Sequence, residues 1–296
     1  MELKQKAYLQ IHIAVFLWGI TAILGKLISY SELVLVWYRM TMVSVLFLFF
    51  PSIYKELKTL SQSTIIKVGA IGILVALHWV CFYGSIKYAN ASVALSCLAL
   101  TSFFTAIIEP IITKTPFNKA ELLLGILVIP GIWLISQSIN TNYYIGLILG
   151  LLAALLAAIF TSLNKKETQH TPPKVTVFIQ LGCGALFLSL IMPIYLQFFP
   201  NSFYLPDGRD LILLIILAVI CTILPYILYL KSLKVLTAFA TNLINNLEPI
   251  YGIILAAIFF QENKELSISF YIGTLIILLA VFIDPMVQKT VNRPKH

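Results

Sequence analysis

About ten apolar stretches, each of about 20 residues, follow one another along this chain and are separated only by short polar joints. A helix of 20 residues rises about 30 Å, which is the thickness of the hydrocarbon core of a bilayer. Of the 296 residues, 60% are hydrophobic and 11% are charged, so polar side chains are too few to cover a water-soluble body. The pattern therefore predicts an all-α integral membrane protein.

The apolar stretches predict ten transmembrane helices. Prolines such as Pro51, Pro116 and Pro200 fall in the joints between the stretches, where a missing backbone N–H breaks no helical hydrogen bond. The predicted spans are 8–29, 32–50, 64–86, 90–113, 119–139, 143–163, 174–199, 210–230, 237–260 and 267–286.

Lysine and arginine positions predict the orientation, because short cytoplasmic loops carry an excess of both. With the amino terminus in the cytoplasm, 15 of the 20 basic residues fall on the cytoplasmic side, four fall on the other side and Arg39 lies within a span. We therefore expect both termini to be cytoplasmic. The net charge of +8 is scattered over the joints and the termini, so no nucleic-acid partner is expected.

The sequence predicts no cofactor and no metal. The four cysteines all lie within apolar stretches, without a C-x-x-C pair, and are expected to be buried small hydrophobes. The chain has no G-x-x-x-x-G-K-[ST] motif, which argues against direct use of ATP through a P-loop.

The joint at Asn140 divides the chain into two halves, 1–140 and 141–296, with five predicted spans each. An odd number of spans per half means that the second half enters the membrane from the opposite face. Such inverted repeats are typical of secondary transporters. Three residues recur 147 positions later: Ser85, Lys87 and Ala91 match Ser232, Lys234 and Ala238. Gly125 recurs as Gly273, 148 positions later.

Several short motifs occur in a fixed order: Trp18-Gly19 and Lys26 in the first span, Arg39 in the second, Leu247-Glu248-Pro249 in the ninth, and Glu262 after it. In this order and spacing, nearly the whole chain resembles two tandem units of the EamA family of the drug/metabolite transporter superfamily. The first half departs from the pattern, because Leu100-Thr101-Ser102 occupies the place of Leu-Glu-Pro. The pair His78-Trp79 resembles a bacterial subset of the family.

The resemblance implies a carrier of small metabolites or amino acids, more commonly an exporter, in the bacterial cytoplasmic (inner) membrane. Its partners would be a small-molecule substrate, membrane lipid and, as a hypothesis, a coupling proton. We expect the two halves to rock around a polar cavity near the midplane. The oligomeric state stays open.

Glu248 lies about midway along the ninth span, and Thr241 and Asn245 precede it on the same helical face. Asn242 and Asn246 widen this polar face. A charged side chain in a span is costly and usually faces the bundle interior. We interpret the face as a substrate or ion site at a locally broken helix; the alternative is a carboxyl group that only holds helices together.

Glu109 lies nearer the cytoplasmic end of the fourth span, with Ser102 and Thr105 on the same face. This face is a candidate part of the substrate or ion pathway. The alternatives for Glu109 are a role in gating or a contact that holds two helices together.

Arg39 either binds an anionic substrate group or pairs with an acidic residue or with carbonyl groups of a neighbouring helix. His78 is a candidate proton relay, and the Trp79 indole a candidate stacking surface, although a buried histidine satisfied by one neighbour is equally compatible with the sequence. Three further aromatic residues are candidates to line a cavity or to pack between helices: Trp18, Tyr83 and Tyr226.

The alternative function is a membrane-embedded enzyme that acts on a lipid or isoprenoid substrate, with His78, Glu109 or Glu248 as acid or base. Such chemistry normally concentrates its groups at one membrane depth, whereas these three residues lie on different spans at different depths. The sequence therefore favours a carrier over an enzyme.

Overall fold

The computed structural model describes residues 2–138, 141–261, 266–276, 279 and 283. These residues form α-helices, one 3-10 turn and one π-helical segment, and no strand occurs among them. The predicted residue Glu262 and most of the carboxyl half of the predicted tenth span lie outside the described residues.

The helices of the first half are α1 (Leu3–Gly19), α2 (Thr21–Leu27), α3 (Glu32–Leu48), α4 (Pro51–Leu57), α5 (Gln62–Tyr88), α6 (Ala91–Leu98), α7 (Leu100–Thr113) and α8 (Lys119–Ser138). Those of the second half are α9 (Tyr144–Glu167), α10 (Pro173–Phe198), α11 (Gly208–Ile215), the π-helical segment (Ile216–Ile223), α12 (Leu224–Leu233), α13 (Ala238–Asn245) and α14 (Glu248–Phe260). Residues 268–276 are also helical.

Within the described part of the chain, seven helical segments are long and apolar enough to cross a membrane, or eight if the bent pair α3 and α4 is one span. The all-helical membrane fold is therefore confirmed. The predicted boundaries agree with the helices to within about five residues, and the predicted segments 119–139 and 267–286 also contain helix. The total of ten crossings stays a prediction.

Two spans are interrupted at matching positions. The fourth predicted span breaks at Ala99, whose N–H donates to the Ser96 carbonyl oxygen at 3.3 Å. The ninth breaks between α13 and α14, where the Asn246 N–H donates to the Leu243 carbonyl oxygen at 3.1 Å. Both are tight i to i+3 contacts, and the two breaks are 147 positions apart. The broken helix expected in the ninth span is confirmed.

Contacts near the helix ends recur in both halves, from donor and capping residues that are 147 positions apart. Lys87 donates to the Ile28 carbonyl oxygen at 2.5 Å, and Lys234 donates to the Thr171 carbonyl oxygen at 2.7 Å. The side chain of Asn90 caps α6, and that of Thr237, 147 positions later, caps α13. These pairs of contacts agree with two related halves.

The halves exchange equivalent packing partners. Helix α5 packs along α9, whereas α12 packs along α1; α6 packs against α14, whereas α7 packs against α13. This exchange is what a two-fold relation between the halves requires, and it is consistent with the predicted inverted repeat.

Candidate functional site

A cavity of about 80 Å³ lies among the middle parts of the spans and draws on both halves of the chain. Six aromatic rings form much of its wall: Trp18, Trp79, Phe82, Phe160, Tyr226 and Tyr229. Its polar lining consists of Thr21, Arg39, His78, Thr101, Thr161, Asn242, Asn245 and Glu248. Mainly apolar walls with a few convergent polar groups are typical of small-molecule sites.

The two halves contribute corresponding positions to this lining. Four pairs of lining residues are 147 positions apart: Trp79 with Tyr226, Phe82 with Tyr229, Leu98 with Asn245, and Thr101 with Glu248. The positions correspond but the chemistry does not, because the second half supplies the amide, the carboxylate and both phenols. The cavity is therefore more polar on the side of the second half.

Glu248 is the first residue of α14 and faces the cavity with 9% of its surface exposed. Of the described residues, no other carboxylate lines the cavity, and no described residue donates a hydrogen bond to this one. The amino end of a half-helix carries a partial positive charge and favours an anionic group. The break in the ninth span thus places an unpartnered carboxylate at the edge of the cavity.

The amides beside Glu248 belong to a network that joins four helices. Tyr229 donates to Thr161 Oγ1 at 2.7 Å, and Thr161 donates to Asn242 Oδ1 at 3.3 Å. Asn242 Nδ2 donates to Thr105 Oγ1 at 2.8 Å, while Asn245 Nδ2 donates to Asn242 Oδ1 at 3.3 Å. The Asn245 Oδ1 atom is buried and receives no hydrogen bond from the described residues. A buried acceptor without a partner is uncommon and costly.

Arg39 is buried, with 2% of its surface exposed, and three of its five N–H groups donate hydrogen bonds to described residues. Nε donates to Thr222 Oγ1 at 2.6 Å, Nη1 to the Tyr83 hydroxyl at 2.9 Å and Nη2 to the Cys221 carbonyl oxygen at 3.2 Å. The Trp79 ring covers the guanidinium at 3.8 Å. No carboxylate of the described residues lies within 4 Å of it. The geometry agrees with the interpretation of Arg39 as a partner of carbonyl groups.

Pro225, which follows the π-helical segment, leaves the Cys221 carbonyl group free to accept from Arg39. In an α-helix the Cys221 carbonyl would accept from residue 225, but Pro225 has no N–H. Arg39 supplies the missing donor, and the Thr222 hydroxyl satisfies the Leu217 carbonyl at 2.6 Å. Isolated π-helical turns occur frequently at functional sites, and this one forms the support behind the cavity wall.

His78 has one nitrogen engaged and one free. Its Nδ1 lies 2.8 Å from the Ala153 carbonyl oxygen, which only accepts, so Nδ1 carries the proton. The Nε2 atom is then an acceptor in the neutral ring, and no described residue bonds to it. The ring packs edge-on against Phe160, 5.2 Å between centroids. His78 is therefore held in place by α9 while it lines the cavity.

Glu109 lies outside the cavity lining, although the sequence placed it among the pathway candidates. Its Oε1 accepts from the Ala238 N–H at 2.9 Å and its Oε2 accepts from the Phe239 N–H at 2.7 Å. Both N–H groups belong to the first turn of α13, where helical N–H groups lack intrahelical partners. Glu109 thus caps α13 and joins it to α7, as the helix-holding alternative expects.

Five further candidates also lie behind the lining: Tyr83, Ser102, Thr105, Thr241 and Asn246. Asn246 Nδ2 donates to Ser102 Oγ at 3.0 Å, so this pair joins α7 to the end of α13. Asn242 and Asn245 of α13 line the cavity, whereas Thr241 does not. A role of Thr241 in the pathway stays a prediction.

Sequence reasoning missed nine lining residues: Thr21, Val75, Phe82, Leu98, Thr101, Ala157, Phe160, Thr161 and Tyr229. The 147-residue spacing was a usable signal for some of them. Thr101 corresponds to Glu248, and Phe82 corresponds to Tyr229. The residues from α9 have no such signal, since nothing in a run of alanines and leucines indicates which side faces a cavity.

Replacing Glu109 with Ala should lower stability by about 1 kcal/mol, because two N–H groups of α13 lose their acceptor. Transport should persist, since Glu109 does not touch the cavity. Thermal melting of the purified protein measures the first effect and liposome uptake the second. Glu109→Gln, which keeps one acceptor oxygen, should lie between Glu109→Ala and the wild type in stability. Loss of uptake by well-folded Glu109→Gln would contradict a purely structural role.

Comparison with known proteins agrees with this architecture. The model of the EamA-like transporter family matches residues 5–137 and 144–283, one match in each half. The chain belongs to the EamA-like transporter family. A solved crystal structure aligns with this EamA-like protein at a TM-score of 0.70 and 13% identity, covering 98% of this chain and 100% of the other, which shows a common fold. No curated protein matches the sequence.

Family membership confirms the resemblance inferred from the motifs and supports a transporter in a membrane. Of the three acid or base candidates of the enzyme alternative, Glu109 caps α13 of the EamA-like chain and lies outside the cavity lining.

Proposed function

We propose that this EamA-like protein is a secondary active transporter that exports small metabolites or amino acids through the central cavity. The observation that carries the proposal is the unpartnered Glu248 carboxylate at a helix break, in a cavity built by both halves. In the proposed orientation the protein lies in the bacterial inner membrane with both termini in the cytoplasm.

Alternating access would arise from rocking of the two halves around the broken fourth and ninth spans. The breaks at Ala99 and Asn246 are the places where each span already lacks regular α-helical hydrogen bonding. Small changes there tilt α7 and α14 with little loss of hydrogen bonds. The cavity lies beside both breaks, so the same motion exposes its contents to one side and then to the other.

Glu248 is the proposed coupling group. A carboxyl group that faces a cavity and has no basic partner within contact distance is able to exchange a proton with water in either conformation. Proton uptake from one side and release to the other then drives cargo against its gradient.

The cavity chemistry suits a cargo that carries both hydrogen-bond donors and acceptors. The unpartnered polar atoms at the lining include three acceptors, Asn245 Oδ1, His78 Nε2 and the Glu248 carboxylate, and two donors, the indole N–H groups of Trp18 and Trp79. The guanidinium of Arg39 uses three of its five N–H groups to hold Thr222, Tyr83 and Cys221, and Trp79 covers its face. An amino group would satisfy these acceptors, while the aromatic rings would cover apolar parts of the cargo.

The test is transport by purified protein in liposomes, after metabolite profiles of cells with and without the protein have named candidate cargoes. A carrier should show saturable uptake of labelled cargo and counterflow against unlabelled cargo, and the recovered cargo should be chemically unchanged. Recovery of a modified product would favour the enzyme alternative. Uptake that does not saturate, or an absence of counterflow, would contradict a carrier.

A further inference from the structure

A second groove lies apart from the central cavity, between the end of α3, the short helix α4, the beginning of α10 and the π-helical segment. Its volume is about 200 Å³. Six of its lining residues are apolar: Leu46, Phe47, Phe50, Ile53, Ile223 and Ile227. An apolar groove of this size on a membrane protein is suited to an acyl chain.

The bend before α4 places this groove at the level of the membrane surface. Helix α4 begins at Pro51 and turns 91° away from α3. If α3 forms the second predicted span, α4 lies along the interface, with Phe50 and Tyr54 exposed over 54% and 44% of their surfaces. The groove is therefore located where lipid headgroups meet acyl chains.

Lys174 provides a positive charge at the polar end of the groove. It is exposed, lies in the first turn of α10 and contacts no acceptor in the described part of the chain. The neighbouring lysines are engaged: Lys165 donates to the Leu236 carbonyl oxygen at 2.6 Å, and Lys234 to that of Thr171. Among the residues that line the groove, Lys174 is the cation, and it is available to an outside anion.

We propose that this groove binds one anionic phospholipid, with the headgroup phosphate on Lys174 and an acyl chain against the six apolar side chains. The amino end of α10 adds unpaired backbone N–H groups and a partial positive charge on the same side as the lysine. Basic sites between transmembrane helices are a recurrent way of binding anionic lipid headgroups. A zwitterionic lipid has the same acyl chains but no net negative charge, so Lys174 should bind it more weakly.

The groove and the transport cavity share the π-helical segment. Ile223, the last residue of that segment, lines the groove, while the adjacent Thr222 and Cys221 hold the guanidinium of Arg39. Arg39 in turn lines the cavity. A bound acyl chain therefore packs against the segment that supports Arg39, and the lipid stabilises the geometry of the cavity wall.

The experiment compares retention of phosphatidylglycerol and phosphatidylcholine by detergent-purified protein, using native mass spectrometry and thermal melting. The wild type should retain one phosphatidylglycerol preferentially and melt at a higher temperature with it. Lys174→Gln should weaken phosphatidylglycerol binding about fivefold, which corresponds to about 1 kcal/mol. Lys231→Gln is the matched control, because Lys231 is exposed near the same end and does not line the groove. It should bind as the wild type does.

A second variant tests the acyl part of the site without a change of charge. Ser52 lines the groove, so Ser52→Trp fills part of it and should reduce binding of phosphatidylglycerol. Added inorganic phosphate should not change lipid binding by either variant. Only preparations that are monodisperse on gel filtration are compared. Four results would overturn the proposal: equal retention of both lipids, unchanged preference in Lys174→Gln, displacement of the lipid by inorganic phosphate, or a groove covered by a second copy of the chain.

Discussion

Glu248→Gln is expected to abolish cargo accumulation driven by a proton gradient while leaving exchange of cargo at equal concentrations intact. Glutamine has nearly the shape of a protonated glutamate but has no proton to release, so the carrier should move cargo without coupling. The carboxylate receives no hydrogen bond from the described residues, so its replacement disturbs little else. The measurement is uptake into liposomes with and without an imposed pH gradient, together with counterflow.

The matched control for this variant is Glu167→Gln. Glu167 ends α9 and forms an ion pair with Lys67 at 3.2 Å, away from the cavity, so the same chemical change should leave coupling unaffected. Gradient-driven accumulation by Glu248→Gln at normal expression would rule out an essential coupling carboxylate. Loss of both accumulation and counterflow in folded Glu248→Gln would instead assign Glu248 to cargo binding.

Gly72→Ala is expected to prevent normal assembly of the first half against the second. Helix α5 approaches α10 so closely at this residue that an added Cβ would lie 2.1 Å from the Gln180 carbonyl oxygen. The obstacle is backbone, which cannot move without shifting the helix. Gly184 of α10 approaches the Gly72 carbonyl oxygen from the other side, so the crossing depends on two glycines. We expect a loss of about 3 kcal/mol, the upper end of the usual cost of overpacking.

Thermal melting and the monodisperse fraction after purification measure this effect. Gly182→Ala is the matched control, because its Cβ would have its nearest neighbour, Ser44 Oγ, at 3.9 Å. It should melt within about 1 °C of the wild type or slightly above, since alanine favours helix. If Gly72→Ala were as stable as Gly182→Ala, the close crossing of α5 and α10 would be wrong.

Much of the candidate site was accessible from the sequence because charged and amide groups are costly in a bilayer and therefore stand out. Glu248, Asn242, Asn245, Arg39 and His78 were recognised in this way, and all five line the cavity. The sequence already placed Glu248 midway along its span and Glu109 nearer the cytoplasmic end of its own span. The contacts add that Glu109 caps a helix, whereas Glu248 faces the cavity.

The aromatic half of the site was harder to predict. Trp18 and Tyr226 line the cavity, whereas Tyr83 is not part of its lining. Aromatic side chains are equally suited to packing between helices and to covering a ligand, so their presence in a span has no preferred interpretation. Phe160 and Tyr229 were missed for the same reason.

The sequence by itself determined that the chain is helical and lies in a membrane, because 20-residue apolar runs have no other stable state, and the order of its motifs indicated the EamA-like family. It also located the spans, since polar joints cannot enter the hydrocarbon core. The tertiary structure alone decided which polar groups meet. The breaks at Ala99 and Asn246 rotate the helix faces that follow them, and Pro225 frees a carbonyl group that Arg39 then occupies. These effects depend on where neighbouring helices supply donors and acceptors, which no local pattern in the sequence contains.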